Sequence, residues 1–163
     1  MNRKCPKCRA DAMNAEHGPF RYVAGGLPNV ILRGVEVRRC ASCGAETLSI
    51  PKIGQLHRAI AVALATKPSR LSPLEARFLR KYLGHSTVDL AAIMGVAPAT
   101  ITRWESVKSA QPIGSTSERL LRLMAVRDRP VEEYPSERLA EIDEEVKDAT
   151  LRFEPDGGWH MAA

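Results

Sequence analysis

The sequence predicts an α+β protein in which a small, cysteine-stapled N-terminal unit precedes an all-helical domain. Three observations lead there. All four cysteines fall in two C-x-x-C pairs near the start, 31 residues apart, with short β-like runs between them. From Lys52 onward the apolar residues recur at helical spacing instead. The stretch LAAIMGVAPATITRWES, Leu90–Ser106, then sets one Gly between two short apolar-patterned segments, the second opening with Pro.

Charge is distributed unevenly. The net charge of +5 divides into +4 over 1–50, +8 over 51–130 and −7 over 131–163. A basic middle suits a polyanionic partner, and an acidic end suits an interaction tail or a solvated helix. No run of about 18 apolar residues is present, so no membrane span is expected. The start, MNRKCPKC, has charge but no apolar run behind it, so no signal peptide and a cytoplasmic location are expected. Structural disulfides are disfavoured there.

The elements follow in order. In 1–50, FRYVA, NVILRG and VEVRRC read as β runs, with turns at Gly25–Pro28 and Arg33–Gly34. So small a unit needs a staple. In 51–70, Lys52–Thr66 reads as a connecting helix with Ile53, Leu56, Ile60 and Leu64 on one face, broken by KPSR. In 71–130, Leu71–Gly84 is a helix with Ser72 as N-cap, Pro73 first and Glu75 closing a capping box. Ser86 caps the next helix. Ser115–Arg127 is expected to repeat the box with Ser115 and Glu118. In the acidic extension, 131–163, Leu139, Ile142 and Val146 suggest a helix face, and EPDGGWHMAA a frayed end.

Cys5, Cys8, Cys40 and Cys43 point to one structural Zn²⁺, which takes four thiolates in a tetrahedron. A two-residue gap lets a tight turn aim both sulfurs at one ion, and Gly44 supports the second turn. Lys4, Lys7, Arg38 and Arg39 are expected to offset the −2 of a tetrathiolate. A redox C-x-x-C needs only one pair. A catalytic zinc needs an open position and a neighbouring acid or base, for which His17 is the single candidate.

Leu90–Ser106 fits a helix-turn-helix slot by slot. Leu90 and Met94 face inward, Ala91 is small enough for a close crossing, and Gly95 supplies a positive φ. Pro98 starts the second helix, and Ile101 and Trp104 anchor it. That leaves Pro98, Ala99, Thr102, Arg103 and Ser106 outward, where a recognition helix meets base edges. Arg103 can fork onto a guanine, and Ala99 and Thr102 can touch a thymine methyl. Thr87, Thr100 and Ser86 can bond phosphates. Arg70, Arg77, Arg80, Lys81 and Lys108 are candidates for the non-specific grip. The alternative is a helical hairpin that only packs, with Arg103 a solvated charge.

This stretch resembles the Xre-type helix-turn-helix, including a T-I-x-R-W-E core. Joined to the two C-x-x-C pairs and to VILRGVEVRRCASC, it resembles the MqsA/YgiT family of antitoxin-type repressors. The resemblance spans about Lys4–Arg129 and is most specific in ITRWESVKSAQPIGSTSERLLRL. It implies a homodimer through the C-terminal domain, a palindromic double-stranded DNA operator, and a zinc-stabilised N-terminal domain able to hold a toxin. It assigns the DNA-reading role to Arg103. The family's companion Asn is replaced by Ala99, which implies a different operator. The E-x-G helix exit is altered to Glu105-Ser106-Val107.

The expectation is therefore a zinc-stapled α+β domain followed by an all-helical, Xre-like helix-turn-helix domain. Its function would be that of a sequence-specific repressor, the autoregulating antitoxin of a toxin–antitoxin pair. Two alternatives stand beside it: a zinc-containing regulator with no toxin partner, and a zinc adaptor that binds only protein. No Ser/His/Asp grouping, P-loop or carboxylate cluster suggests an enzyme. The apolar excess on the last Leu-rich helix makes Leu120, Leu123 and Met124 candidates for a dimer interface.

Overall fold

The computed structural model describes residues 4–108, 111–127, 143–146, 150–155 and 158–161. Three strands come first: β1 (Met13–Arg21), β2 (Val30–Cys40) and β3 (Glu46–Ser49). Then follow α1 (Ile53–Thr66), the short β4 (Ser69–Arg70), α2 (Pro73–Tyr82), α3 (Thr87–Met94), α4 (Pro98–Trp104) and α5 (Ser115–Val126). Three strands close the chain: β5 (Asp143–Val146), β6 (Leu151–Pro155) and β7 (Trp159–Met161). No helix among the described residues is long and apolar enough to cross a membrane.

β2 organises the sheet. β1 lies antiparallel along one edge, with Met13 opposite Cys40 and Arg21 opposite Ile31. The other edge is shared. β3 pairs antiparallel with Glu36–Arg39, while β6 pairs parallel with Val30–Leu32 and carries β7 beyond it. The expected Arg33–Gly34 turn is instead a bulge inside β2. Gly18 faces Val35 and Phe20 faces Leu32, so Pro19 alone spans two residues, and Gly34 takes φ 67°. One extra residue flips the strand's phase. Val30 and Leu32 before it and Val35 after it are thereby all buried.

The C-terminal segment departs most from expectation. Asp143–Val146 is a strand beside β4, not the helix suggested by Val146, while Leu139 and Ile142 lie outside the described residues. Leu151–Pro155 and Trp159–Met161 are sheet strands rather than a frayed end. Phe153 is fully buried, and the Trp159 indole N–H donates to the Pro51 carbonyl at 2.7 Å, tying the last strand to the start of α1. β6 is held by its pairing with β2 and the burial of Leu151 and Phe153, and β7 by its pairing with β6 and the burial of Trp159.

One apolar core runs from the sheet through the helices, joining Val30, Leu32 and Phe153 to Leu56, Ile60 and Leu64 of α1 and on to Leu79, Leu90, Ile101 and Leu121. Ile53, expected on the buried face of α1, is about half exposed at 48%. The Ser72–Glu75 capping box forms as expected, and Ser86 makes a second box with Asp89. Ser115 does not cap α5. The N-cap is Gly114, so Glu118 sits one position too deep for a box. Its carboxylate instead accepts from the Leu71 N–H and Arg70 Nε, both at 2.9 Å, and from Arg122 at 2.7 Å. Arg122 is fully buried and also donates to the Ala65, Lys67 and Ser69 carbonyls. Ala65 and the C-cap Lys67 lie at the end of α1, where carbonyls have no helical partner, and Ser69 lies in β4.

Candidate metal centre and nucleic-acid interface

The four cysteines converge on one point, each sulfur within 4.8 Å of the others. Cys5 and Cys43 Sγ are 3.6 Å apart, as are Cys8 and Cys40 Sγ. A disulfide is about 2.05 Å, so these are separate thiols. A tetrahedron with metal–sulfur bonds of about 2.3 Å has edges of about 3.8 Å. The cluster therefore has the size and donor set to hold a single metal ion.

Two turns of the same design build it. The Cys5 carbonyl accepts from the Arg9 N–H at 2.8 Å, and the Cys40 carbonyl from the Gly44 N–H at 2.9 Å. The Cys5 N–H donates to Ala10 and the Cys40 N–H to Ala45, both at 2.9 Å. Arg9 and Gly44 hold equivalent left-handed positions, φ 62° and 69°. The second turn uses the residue suited to that conformation, and the first places a long cation in it. Ala41 N–H to the Ala12 carbonyl, 2.9 Å, joins the two turns.

The electrostatics favour a cation at the centre. The backbone N–H of Cys8 has the largest influence on the Cys5 thiol. With the Lys7 N–H and the neighbouring sulfurs it outweighs burial and brings that thiol down to about 6. Burial pushes Cys40 up, but the N–H groups of Cys43 and Ser42 and the adjacent sulfurs turn the net shift downward. At Cys8 the Ala10 N–H favours the thiolate, yet the crowding sulfurs and burial prevail and push it up to about 12. Four thiolates this close cannot all ionise unaided, and a bound divalent ion removes that repulsion. Arg38 and Arg39 do not serve as the expected counter-charges, because each pairs with an acid: Glu36 at 2.5 Å and Glu46 at 2.6 Å.

The second candidate surface is the α3–α4 pair. Gly95, φ 65°, ends α3, and Pro98 opens α4. Leu90, Ala91, Ile101 and Trp104 are buried between the pair and the core. Pro98, Ala99, Thr102 and Arg103 are exposed on one side of α4, as is Lys108 beyond it. Thr87, Thr100 and Ser106 are half-buried around that face. Thr102 Oγ1 donates to the Pro98 carbonyl at 3.3 Å, and Arg103 reaches Gln111 Oε1 at 3.4 Å. His17 lies on β1 and is not part of the cysteine cluster.

Two of the cations expected to face a polyanion face inward instead. Arg70 is held by Glu118 and the Ile113 carbonyl. Arg80 is buried against Glu105 in a two-pronged pair at 2.6 and 2.8 Å, and it also donates to the His85 carbonyl. Arg77 stays exposed but touches the same acid, its Nε 3.6 Å from the Glu105 carboxylate and its guanidinium donating to the Glu105 carbonyl at 2.8 Å. Glu105, the C-cap of α4, is 4% exposed and is the residue that sequence reasoning missed. Its signal was an acid directly after the anchoring Trp104, with two arginines three residues apart on the preceding α2.

No protein-family model matches the chain, and no curated protein or solved structure matches it.

Proposed function

We propose that this protein is a sequence-specific DNA-binding repressor, and that its α3–α4 pair is an Xre-like helix-turn-helix. The observation that carries the reading is the division of α4. Ile101 and Trp104 are buried, while Pro98, Ala99, Thr102 and Arg103 stand together in solvent. Small residues beside one exposed guanidinium are what a helix needs to lie close in a major groove and fork onto a guanine. Thr87, Thr100, Ser106 and Lys108 border that face and would meet phosphates.

The metal of the cysteine cluster would be structural zinc, since four thiolates complete its shell and leave no open position. The partners would be a palindromic operator, read by a homodimer, and a toxin held by the N-terminal domain. The toxin assignment is supported by the resemblance to MqsA/YgiT antitoxins alone, and a small basic reading frame beside this gene would favour it.

The test is Arg103→Ala, compared on the DNA upstream of the gene and on scrambled DNA at one salt concentration. A loss of roughly 1–3 kcal/mol per half-site, concentrated at one base position, is expected. An equal loss on both DNAs in a folded variant reduces Arg103 to a phosphate contact. No binding of either DNA by the wild-type protein overturns the proposal.

A further inference from the structure

A cavity of about 340 Å³ lies between the loop joining β1 to β2 and the helices α1 and α2. It is lined neither by the cysteine cluster nor by the outward face of α4. Two i,i+4 rows of α2 reach it side by side: Arg77 with Lys81, and Phe78 with Tyr82. His57 of α1 stands edge-on to Phe78, ring centres 6.0 Å apart, and is fixed by a 2.8 Å bond between its Nε2 and the hydroxyl of buried Tyr22. Gly25 approaches so closely that a Cβ there would lie 3.2 Å from the Phe78 ring. No carboxylate is among the lining residues.

We propose that this cavity binds a small organic anion with a flat apolar body, of the aromatic carboxylate class. Its charge would lie on Arg77 and Lys81, and its ring against Phe78 and Tyr82. The volume is at the low end of ligand pockets, about 300–1,000 Å³, so the ligand is small. Arg77 also stands 3.6 Å from the Glu105 carboxylate, so Lys81, with no carboxylate among the lining residues, is the charge that a neutral apolar ligand leaves without a role. Inorganic phosphate gives none to the aromatic wall. Arg77 would transmit the occupancy, since the same guanidinium supports the Glu105 carbonyl at the end of α4. An anion in the cavity draws Arg77 toward itself and leaves that helix end to Arg80. The consequence for DNA reading rests on the function proposed above, whereas the binding does not.

The experiment is an amide NMR titration of the full chain with benzoate, using benzamide and acetate as controls. Benzoate is expected to move the signals of the 23–26 loop, His57 and Arg77–Tyr82, together with Glu105 and Ser106. Benzamide, which lacks the charge, and acetate, which lacks the ring, should each bind at least about tenfold more weakly. Lys81→Gln, at an exposed position, should weaken benzoate by about the same factor while leaving the melting temperature unchanged. No shifts up to about 10 mM benzoate, shifts centred elsewhere, or equal binding of benzamide overturns the site. Shifts confined to the cavity, with Glu105 and Ser106 unmoved, keep the site and refute the link to α4.

Discussion

Removing the zinc proposed for the cysteine cluster should unfold the cysteine end of the sheet and leave the rest of the fold standing. β2 is the reason. Over its 11 residues, about 35 Å, it belongs to two different cores. Val30, Leu32 and Val35 pack in the large one with α1. Cys40 packs instead with Cys5 and Met13, in a separate small cluster bordered by Ala12, Cys43 and Ala45. Met13 is the single large side chain there, contributing roughly 1.5–3 kcal/mol. Ordering residues 4–12 alone costs on the order of 10 kcal/mol at about 1–2 kcal/mol per residue. The proposed zinc, at about 10–16 kcal/mol in small modules, is of matching size. The perturbation is Cys40→Ser, or a strong chelator on the wild-type chain. The assay is hydrogen exchange with mass spectrometry. Protection should vanish over 4–12 and 40–45 and persist at Val37 and Leu48, which pack against the large core, and over 56–65 and 101–104. Loss of protection throughout the chain in one step, or retained protection at Cys5–Ala10 without metal, would refute the two-core argument.

Glu105→Ala should destabilise the protein by about 3–5 kcal/mol in urea denaturation, because it strands the buried Arg80 guanidinium. Arg103→Ala, its exposed neighbour, should stay within about 0.5 kcal/mol, and equal losses for the two would contradict the assigned roles. Burial lowers the pKa of His57 below its ordinary 6.5, so the unfolded chain binds this proton more readily. Its contribution should be complete above that value and decline as pH falls through the folded-state value, a slope that His57→Gln should reduce. Leu120 and Leu123 remain 38% and 42% exposed on α5, so Leu123→Glu should convert a dimer to monomer in light scattering. A wild-type monomer at micromolar concentration would remove the dimer. Binding of promoter DNA should show a shallow salt slope, about −4 or less steep per protomer, if Arg77, Lys81, Arg103 and Lys108 are the only cations at the interface.

What was legible in the sequence was local chemistry. Two C-x-x-C pairs, the S-P-x-E start of α2 and the Gly95–Pro98 turn each carry their geometry within a few residues. Burial of Leu56, Ile60 and Leu64 followed from helical spacing. Long-range pairing was harder to see. β1 reads MNAEHGPFR, with no apolar alternation, and is a strand because β2 pairs with it along nearly its whole length. The final strands gave a faint signal, Leu151-x-Phe153 and Trp159-x-Met161 around a D-G dipeptide. A three-residue alternation is too short to outweigh the acidic composition before it. Glu118 matched a capping pattern whose register was displaced by one residue, and only the position of Arg122 shows what its carboxylate serves.

A basic segment is not the same as a basic surface. In the stretch that carries most of the positive charge, Lys67, Arg70, Arg80 and Arg122 are committed inward, to Glu75, Glu118, Glu105 and helix-end carbonyls. Their partners are buried acids, and removing either side leaves an unpaired charge in the core. These residues fix the junctions α1–α5 and α2–α4 rather than draw in a polyanion. What α4 presents to solvent is one arginine among small side chains. A seven-residue helix with a single cation offers few contacts, so one protomer on one half-site should bind weakly. Under the proposed repressor function, tight, selective binding would have to come from two copies joined on a two-fold axis. In that arrangement the second half-site would be met at high effective concentration, and both Arg103 side chains would have to find their base together.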